Sequence, residues 1–217
     1  MNNLRLLILA FVAVFIASSC TIEHTIDYNK DLSGTNTVII DYGEVMEQMG
    51  DLMGDTEGAE KDLDMAEGLS EMEKSFAGVD GVDNIQMINE SDEKRMGFAF
   101  DFKDTKAFNK AMSNYMGDEN SSKKKKAPKN YVQKKKALIL NFAAQDLSSL
   151  TESMGDPSML SMLGMFDYEL TVKLPVAIKS INNPLYTLSE DRKSLRATVS
   201  LEELSSGSED LSAKIKW

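Results

Sequence analysis

Met96-Gly97-Phe98-Ala99-Phe100-Asp101-Phe102 sets the character of the fold. Met96, Phe98, Phe100 and Phe102 alternate with Gly97, Ala99 and Asp101, and period two marks a strand with one face in the core and one in water. The same alternation recurs along the chain. Ile22, His24, Ile26 and Tyr28 alternate with Glu23, Thr25 and Asp27, and Val38, Ile40 and Tyr42 with Thr37, Ile39 and Asp41. Tyr168, Leu170, Val172 and Leu174 alternate with Glu169, Thr171 and Lys173, and Leu195, Ala197, Val199 and Leu201 with Arg196, Thr198 and Ser200. Leu211, Ala213, Ile215 and Trp217 close the chain in the same way, and Ile85 to Asn89 and Lys136 to Phe142 are further strand candidates. Ser33-Gly34, Asp80-Gly81 and Asn182-Asn183-Pro184 supply turns between them.

Helical spacing appears in three places. Val45 to Phe76 carries apolar residues at a rough 3.5-residue period, interrupted by Gly50, Gly54 and Gly58, each of which costs about 1 kcal/mol against alanine. It reads as two helices or one loose one. Thr105 to Met116 puts Phe108, Met112 and Tyr115 on one face, and Gln145 to Met165 is a third helix, broken at Pro157. Residues 117–130 read as a mobile charged loop. The pattern predicts an α+β fold: an antiparallel sheet, wet on one side, with helices packed on one face and a helical insert near the N-terminal half.

Composition narrows the function. The chain of 217 residues has a formal charge of −11, one histidine and one cysteine. Such acidity argues against nucleic acid as a partner, and a single cysteine cannot form a disulfide within the chain. Charge is segregated: 12 acids and two lysines lie between Asp41 and Lys74, eight lysines and no acid between Lys123 and Lys136. The lysines either touch anionic headgroups or form a solvated loop balancing an acidic body, and the second reading is favoured.

The N-terminus reads as an export signal. Met1-Asn2-Asn3-Leu4-Arg5 precedes an apolar run from Leu6 to Ala17, then Ser18-Ser19-Cys20. This run is too short for a comfortable transmembrane helix, which needs about 20 residues. Residues 17–20 resemble the lipobox of bacterial lipoproteins, with Ala17 where leucine is commonest. The resemblance implies that residues 1–19 are cleaved and that Cys20 carries acyl chains, leaving 20–217 as a single domain. Two or three chains hold a membrane far better than one. Thr21 follows the cysteine, and by resemblance to the usual sorting rule the absence of aspartate there implies the outer membrane in a bacterium that has two.

A second resemblance lies at the two ends of the body. Tyr168 to Trp217 reads as strand, Leu174-Pro175, short strand, Asn182-Asn183 and two more strands. After Cys20 come a strand, a turn with Ser33-Gly34 and another strand. This layout looks like the LppM-like domain of bacterial lipoproteins, which implies an α+β domain without known catalysis. The family usually has more glycine at both turns, where Leu32 and Ala177 stand here.

Candidate chemistry is sparse. His24 lies on the apolar side of its strand, where a packed, hydrogen-bonded ring is favoured over a catalytic one. No Gly-x-Ser-x-Gly elbow occurs. Zinc needs several His or Cys ligands. Asp80-Gly81-Val82-Asp83-Asn84 and Asp51-x₃-Asp55-x-Glu57 lack EF-hand spacing and read as a turn and a solvated helix face. The 14 methionines include Met46, Met49 and Met53 and a second group, Met154, Met159, Met162 and Met165. Adaptable packing, Cu(I) and the lining of a groove for an apolar ligand or partner helix are the readings open to them. The expectation is a non-enzymatic, cofactor-free envelope lipoprotein that binds or scaffolds a protein partner, with a carrier of a lipid or other hydrophobic ligand as the alternative.

Overall fold

The computed structural model of this chain describes residues 20–43, 73–115, 131–134, 136–141, 164 and 166–217. In chain order its elements are β1 (Cys20–Tyr28), β2 (Gly34–Asp41), β3 (Val82–Glu90), β4 (Arg95–Phe102), α1 (Thr105–Tyr115), β5 (Tyr131–Lys134), β6 (Ala137–Leu140), β7 (Phe166–Lys173), β8 (Ser180–Ile181), β9 (Thr187–Leu188), β10 (Ser194–Ser200), α2 (Leu201–Ser206) and β11 (Ala213–Lys216). The signal stretch, the 117–130 loop, Met46, Met49, Met53, Met154, Met159, Met162 and Met165 lie outside the described residues, as does nearly all of the insert between Val45 and Phe76.

Two sheets form. The larger runs β3-β4-β2-β1-β7-β10-β9, the smaller β5-β6-β11-β8. Within the larger sheet β1 and β7 are parallel, with Cys20 opposite Phe166 and His24 opposite Leu170. Its other neighbours are antiparallel. The alternation holds: Tyr168, Leu170 and Val172 are buried, as are Phe98, Phe100 and Phe102 and Leu195, Ala197 and Val199. Those side chains, with Leu138, Leu140 and Ile215 of the small sheet and Phe108 and Met112 of α1, make one continuous core.

The expected α+β layout, helices packed over an antiparallel sheet, is corrected here. The described residues are mostly strand, and the main sheet is mixed. Much of the core is closed by a second sheet. Periodicity explains the error: a period of two says which side chains share a face but not whether the neighbouring strand runs parallel or antiparallel. The small sheet draws β6 and β11 from positions about 75 residues apart, a pairing that no local pattern encodes.

Helices have local causes. Asp104 caps α1, its side chain accepting from the Lys106 and Ala107 N–H groups at 2.9 and 2.8 Å. Phe108 on its inner side meets Phe102 with ring centroids 5.1 Å apart. Leu201, read from sequence as the end of a strand, instead opens α2. Ser200 accepts from Glu203 N at 3.1 Å, while Glu203 Oε2 accepts from Ser200 N at 3.2 Å. This capping box was legible as Ser-x-x-Glu, and Gly207 at φ 72° ends the helix.

Leu32, in the β1–β2 turn, has φ 65°. The left-handed region costs a non-glycine residue about 1–2 kcal/mol, and burying a leucine side chain returns about 2 kcal/mol. Leu32 is buried and joins the core, which offsets the strain. Asn29 N donates to Ser33 O at 2.7 Å and holds the turn closed.

Candidate functional site

β1 concentrates the notable side chains. It is the central strand of the large sheet, and it begins at Cys20, the residue proposed from sequence as the lipid site. Cys20 is 2% exposed and lies in phase with Ile22, His24 and Ile26, on the core face. No other described cysteine exists to pair with it.

Four residues further on, His24 is 3% exposed and bonded on both sides. Its Nε2 lies 2.7 Å from Asn36 Oδ1 on β2, and its Nδ1 lies 2.5 Å from the Tyr168 hydroxyl on β7. Register explains the reach: Asn36 pairs with Ile26 and Tyr168 with Ile22, so each partner sits diagonally across from His24 on the same face. With the Asn36 carbonyl toward the ring, Nε2 carries the proton and Nδ1 accepts from Tyr168. Burial disfavours the imidazolium and lowers the His24 pKa from 6.5 to about 4, while the hydrogen bond to Asn36 opposes that shift. The ring is neutral at pH 7.

Two neighbouring polar atoms are buried without a hydrogen-bond partner among the described residues: Asn36 Nδ2 and Tyr28 Oη. Tyr28 pairs with Gly34, one diagonal step from Asn36 on the core face. Burial pushes the Tyr28 phenol well above its usual range. His24 was singled out from sequence as packed and hydrogen-bonded, and it is. Asn36 and Tyr168 were not recognised as its partners. Asn36 had a signal, being a polar residue in phase with Val38 and Ile40.

On the opposite, wet face, Thr25, Asp27, Asn29, Thr35, Thr37 and Lys173 line an open recess of about 430 Å³. Arg196 pairs with Glu169 there, and Arg95 lies within 3.5–3.8 Å of Glu23, Glu90 and Glu93. Asp80-Gly81-Val82-Asp83-Asn84 is a turn leading into a bulged strand. Asp80 holds Lys103 at 2.8 Å, Asn84 donates to Asp101 at 2.7 Å, and the register shifts between Asp83 and Gln86. No group of three or more His, Cys, Asp or Glu side chains suited to a metal occurs among the described residues. No helix among them is long and apolar enough to cross a membrane.

The fold and site together define a mostly β body whose central strand starts at the sole cysteine and is tied on both sides by a buried histidine. No family matches the chain, and no curated protein does. Among solved structures it is similar, weakly, to the folded domain of Mycobacterium tuberculosis LppM. That likeness covers 91% of this chain and 88% of that one, at 15% identity and a TM-score of 0.42.

Proposed function

We propose that the protein is a lipoprotein of the cell envelope, anchored through acyl chains on Cys20, whose β body binds or scaffolds a partner protein without catalysis. One sequence feature carries the reading: Cys20 follows an apolar run and Ala17-Ser18-Ser19, the pattern that resembles a lipobox, and it lies in β1. β1 then joins the anchor directly to the centre of the sheet, which keeps the body close to the bilayer. Thr21 in place of aspartate favours the outer membrane if the bacterium has two membranes. In the native host, the wild-type protein is expected to incorporate a palmitate analogue and fractionate with membranes, and Cys20→Ser to lose the label and stay uncleaved. A Cys20→Ser chain still cut at the same site and still membrane-bound would overturn the anchor.

The carrier of an apolar ligand is a second reading. Asn36 Nδ2 and Tyr28 Oη, buried without a partner among the described residues, support it, because an unsatisfied buried polar group costs about 1–3 kcal/mol. Native mass spectrometry of the purified protein distinguishes the two. A persistent added mass in the lipid range supports a carrier, whereas the bare protein mass supports scaffolding.

A further inference from the structure

Positive charge gathers on one surface of this acidic protein. The chain has 35 acids, yet none lies between Lys123 and Gln145, between Lys173 and Ser189, or between Leu211 and Trp217. The fold joins parts of these three stretches through backbone hydrogen bonds. Leu174 N donates to Lys193 O at 2.7 Å, Ile178 N to Arg192 O at 2.7 Å, Lys179 N to Lys216 O at 2.8 Å and Trp217 N to Lys136 O at 3.3 Å. The Arg192 guanidinium donates to the Ile178 and Lys179 carbonyls at 2.9 and 3.0 Å. Lys136, Lys173, Lys179, Arg192, Lys193 and Lys216 are thereby neighbours, and all six are exposed.

Their charge is not neutralised within the described residues, where the ion pairs use Arg95, Lys103 and Arg196. Glu190 and Asp191 stand at the rim, in the turn before Arg192. The Asp191 carboxylate is engaged there, accepting from Ser189 Oγ at 2.6 Å and Lys193 N at 3.0 Å, and Asp27 lies opposite Lys173. Between Lys173 and Lys179 stands Val176, the exposed large apolar side chain of the described residues. Register places this surface in the body. Phe166 lies opposite Cys20 and Lys173 opposite Asp27, and seven residues of strand span about 23 Å. An anchor at Cys20 leaves the cations at the end of the sheet remote from its own bilayer.

We propose that this surface docks an acidic segment of the partner protein, with carboxylates over the six cations and an apolar side chain against Val176. The proposal rests on the scaffolding reading and gives its partner a chemistry. Complementary exposed charge speeds encounter and selects the partner more than it adds affinity. With a screening length of about 8 Å, a short acidic segment meets this surface alone. An extended anionic bilayer would also face the acids of the rest of the body, whose net charge is −11.

The test is photo-crosslinking of the full-length protein in membranes of the native host, with benzoylphenylalanine placed at Val176 or at Thr198, which is exposed on β10. Adducts are mapped by mass spectrometry. The Val176 probe is expected to capture a protein through a segment rich in Asp and Glu. Combining Lys179→Glu, Lys193→Glu and Lys216→Glu should lower the yield roughly tenfold, as for three exposed charge pairs lost together. Glutamine at the same positions should give a smaller loss in the same direction. Lys106→Glu with Lys110→Glu, exposed on α1, should leave the yield unchanged. A protein adduct at Thr198 but not at Val176 would keep the scaffold and overturn this surface; no protein adduct at either probe would sink both. A lipid or a second copy of the chain captured at Val176, or a protein adduct that survives the reversals, would also overturn the proposal.

Discussion

Phe100→Ala is expected to lower the unfolding free energy by about 4 kcal/mol, the largest loss foreseen for any single side chain here. Phe100 is fully buried on β4. Its ring centroid lies 5.0 Å from that of Phe76 and 6.2 Å from those of Phe98 and Phe108. Those partners come from the helical turn at residues 73–76, from the strand itself and from α1. Truncation thus removes contacts to three pieces of structure at once, and it leaves a hole whose walls are held by separate backbones. Partial collapse is the usual relief for such a cavity. Here it is opposed by the β2–β4 and β3–β4 ladders, which fix Phe100 opposite Asn36 and between the pairs of Ala99 and Asp101. Urea unfolding followed by the near-ultraviolet signal of Trp217 measures the change. With a slope of about 2 kcal/mol per molar, the midpoint should fall by about 2 M. A fall of less than 0.5 M, at unchanged slope, would mean that the phenylalanine cluster is not the centre of the core.

Gly34→Ala is expected to cost about 3 kcal/mol, the top of the usual range for overpacking. Gly34 lies opposite Tyr28 on one side and Phe102 on the other. A Cβ placed there would lie 2.1 Å from the Asp27 carbonyl oxygen and 2.8 Å from Phe102 Cζ. The ring can rotate, but the carbonyl belongs to the β1 backbone and cannot withdraw without opening the hairpin. That hairpin is clamped by Asn29 N to Ser33 O at 2.7 Å and by Ser33 Oγ to Asp31 at 2.7 Å. Differential scanning calorimetry against the wild type gives the loss, and Gly34→Ser should be as bad, since the clash arises at Cβ. If Gly34→Ala melts within 2 °C of the wild type, the close approach of the two strands at this pair is wrong.

Both effects converge on β1, β2 and β4, the half of the sheet next to the buried histidine. A variant that loosens Gly34 should also raise the exchange of His24 and Asn36 amides, because the His24–Asn36 contact depends on the same β1–β2 register. Phe100→Ala acts from the other side, through the Asn36–Phe100 pair.

The sequence by itself determined which side chains are buried. Alternation from Ile22 to Tyr28, from Met96 to Phe102 and from Tyr168 to Leu174 put the right residues on the core face, because side-chain direction in a strand depends only on the local backbone. It also held signals left unused: Ser200-x-x-Glu203 for a capped helix, and Asn36 as a polar residue in an apolar phase. Leu32 reads differently again, since only its φ of 65° shows why the turn would suit glycine. Strand direction and partnership were decided by tertiary structure alone. β1 pairs in parallel with β7 across more than 130 residues, β6 meets β11, and His24 finds Tyr168. Each of these contacts is chosen by the burial of the whole apolar surface at once, in competition with every other register that keeps the same faces inward. Short-range pattern is blind to that competition, which is why the faces were legible and the mixed sheet, the second sheet and the histidine's partners were not.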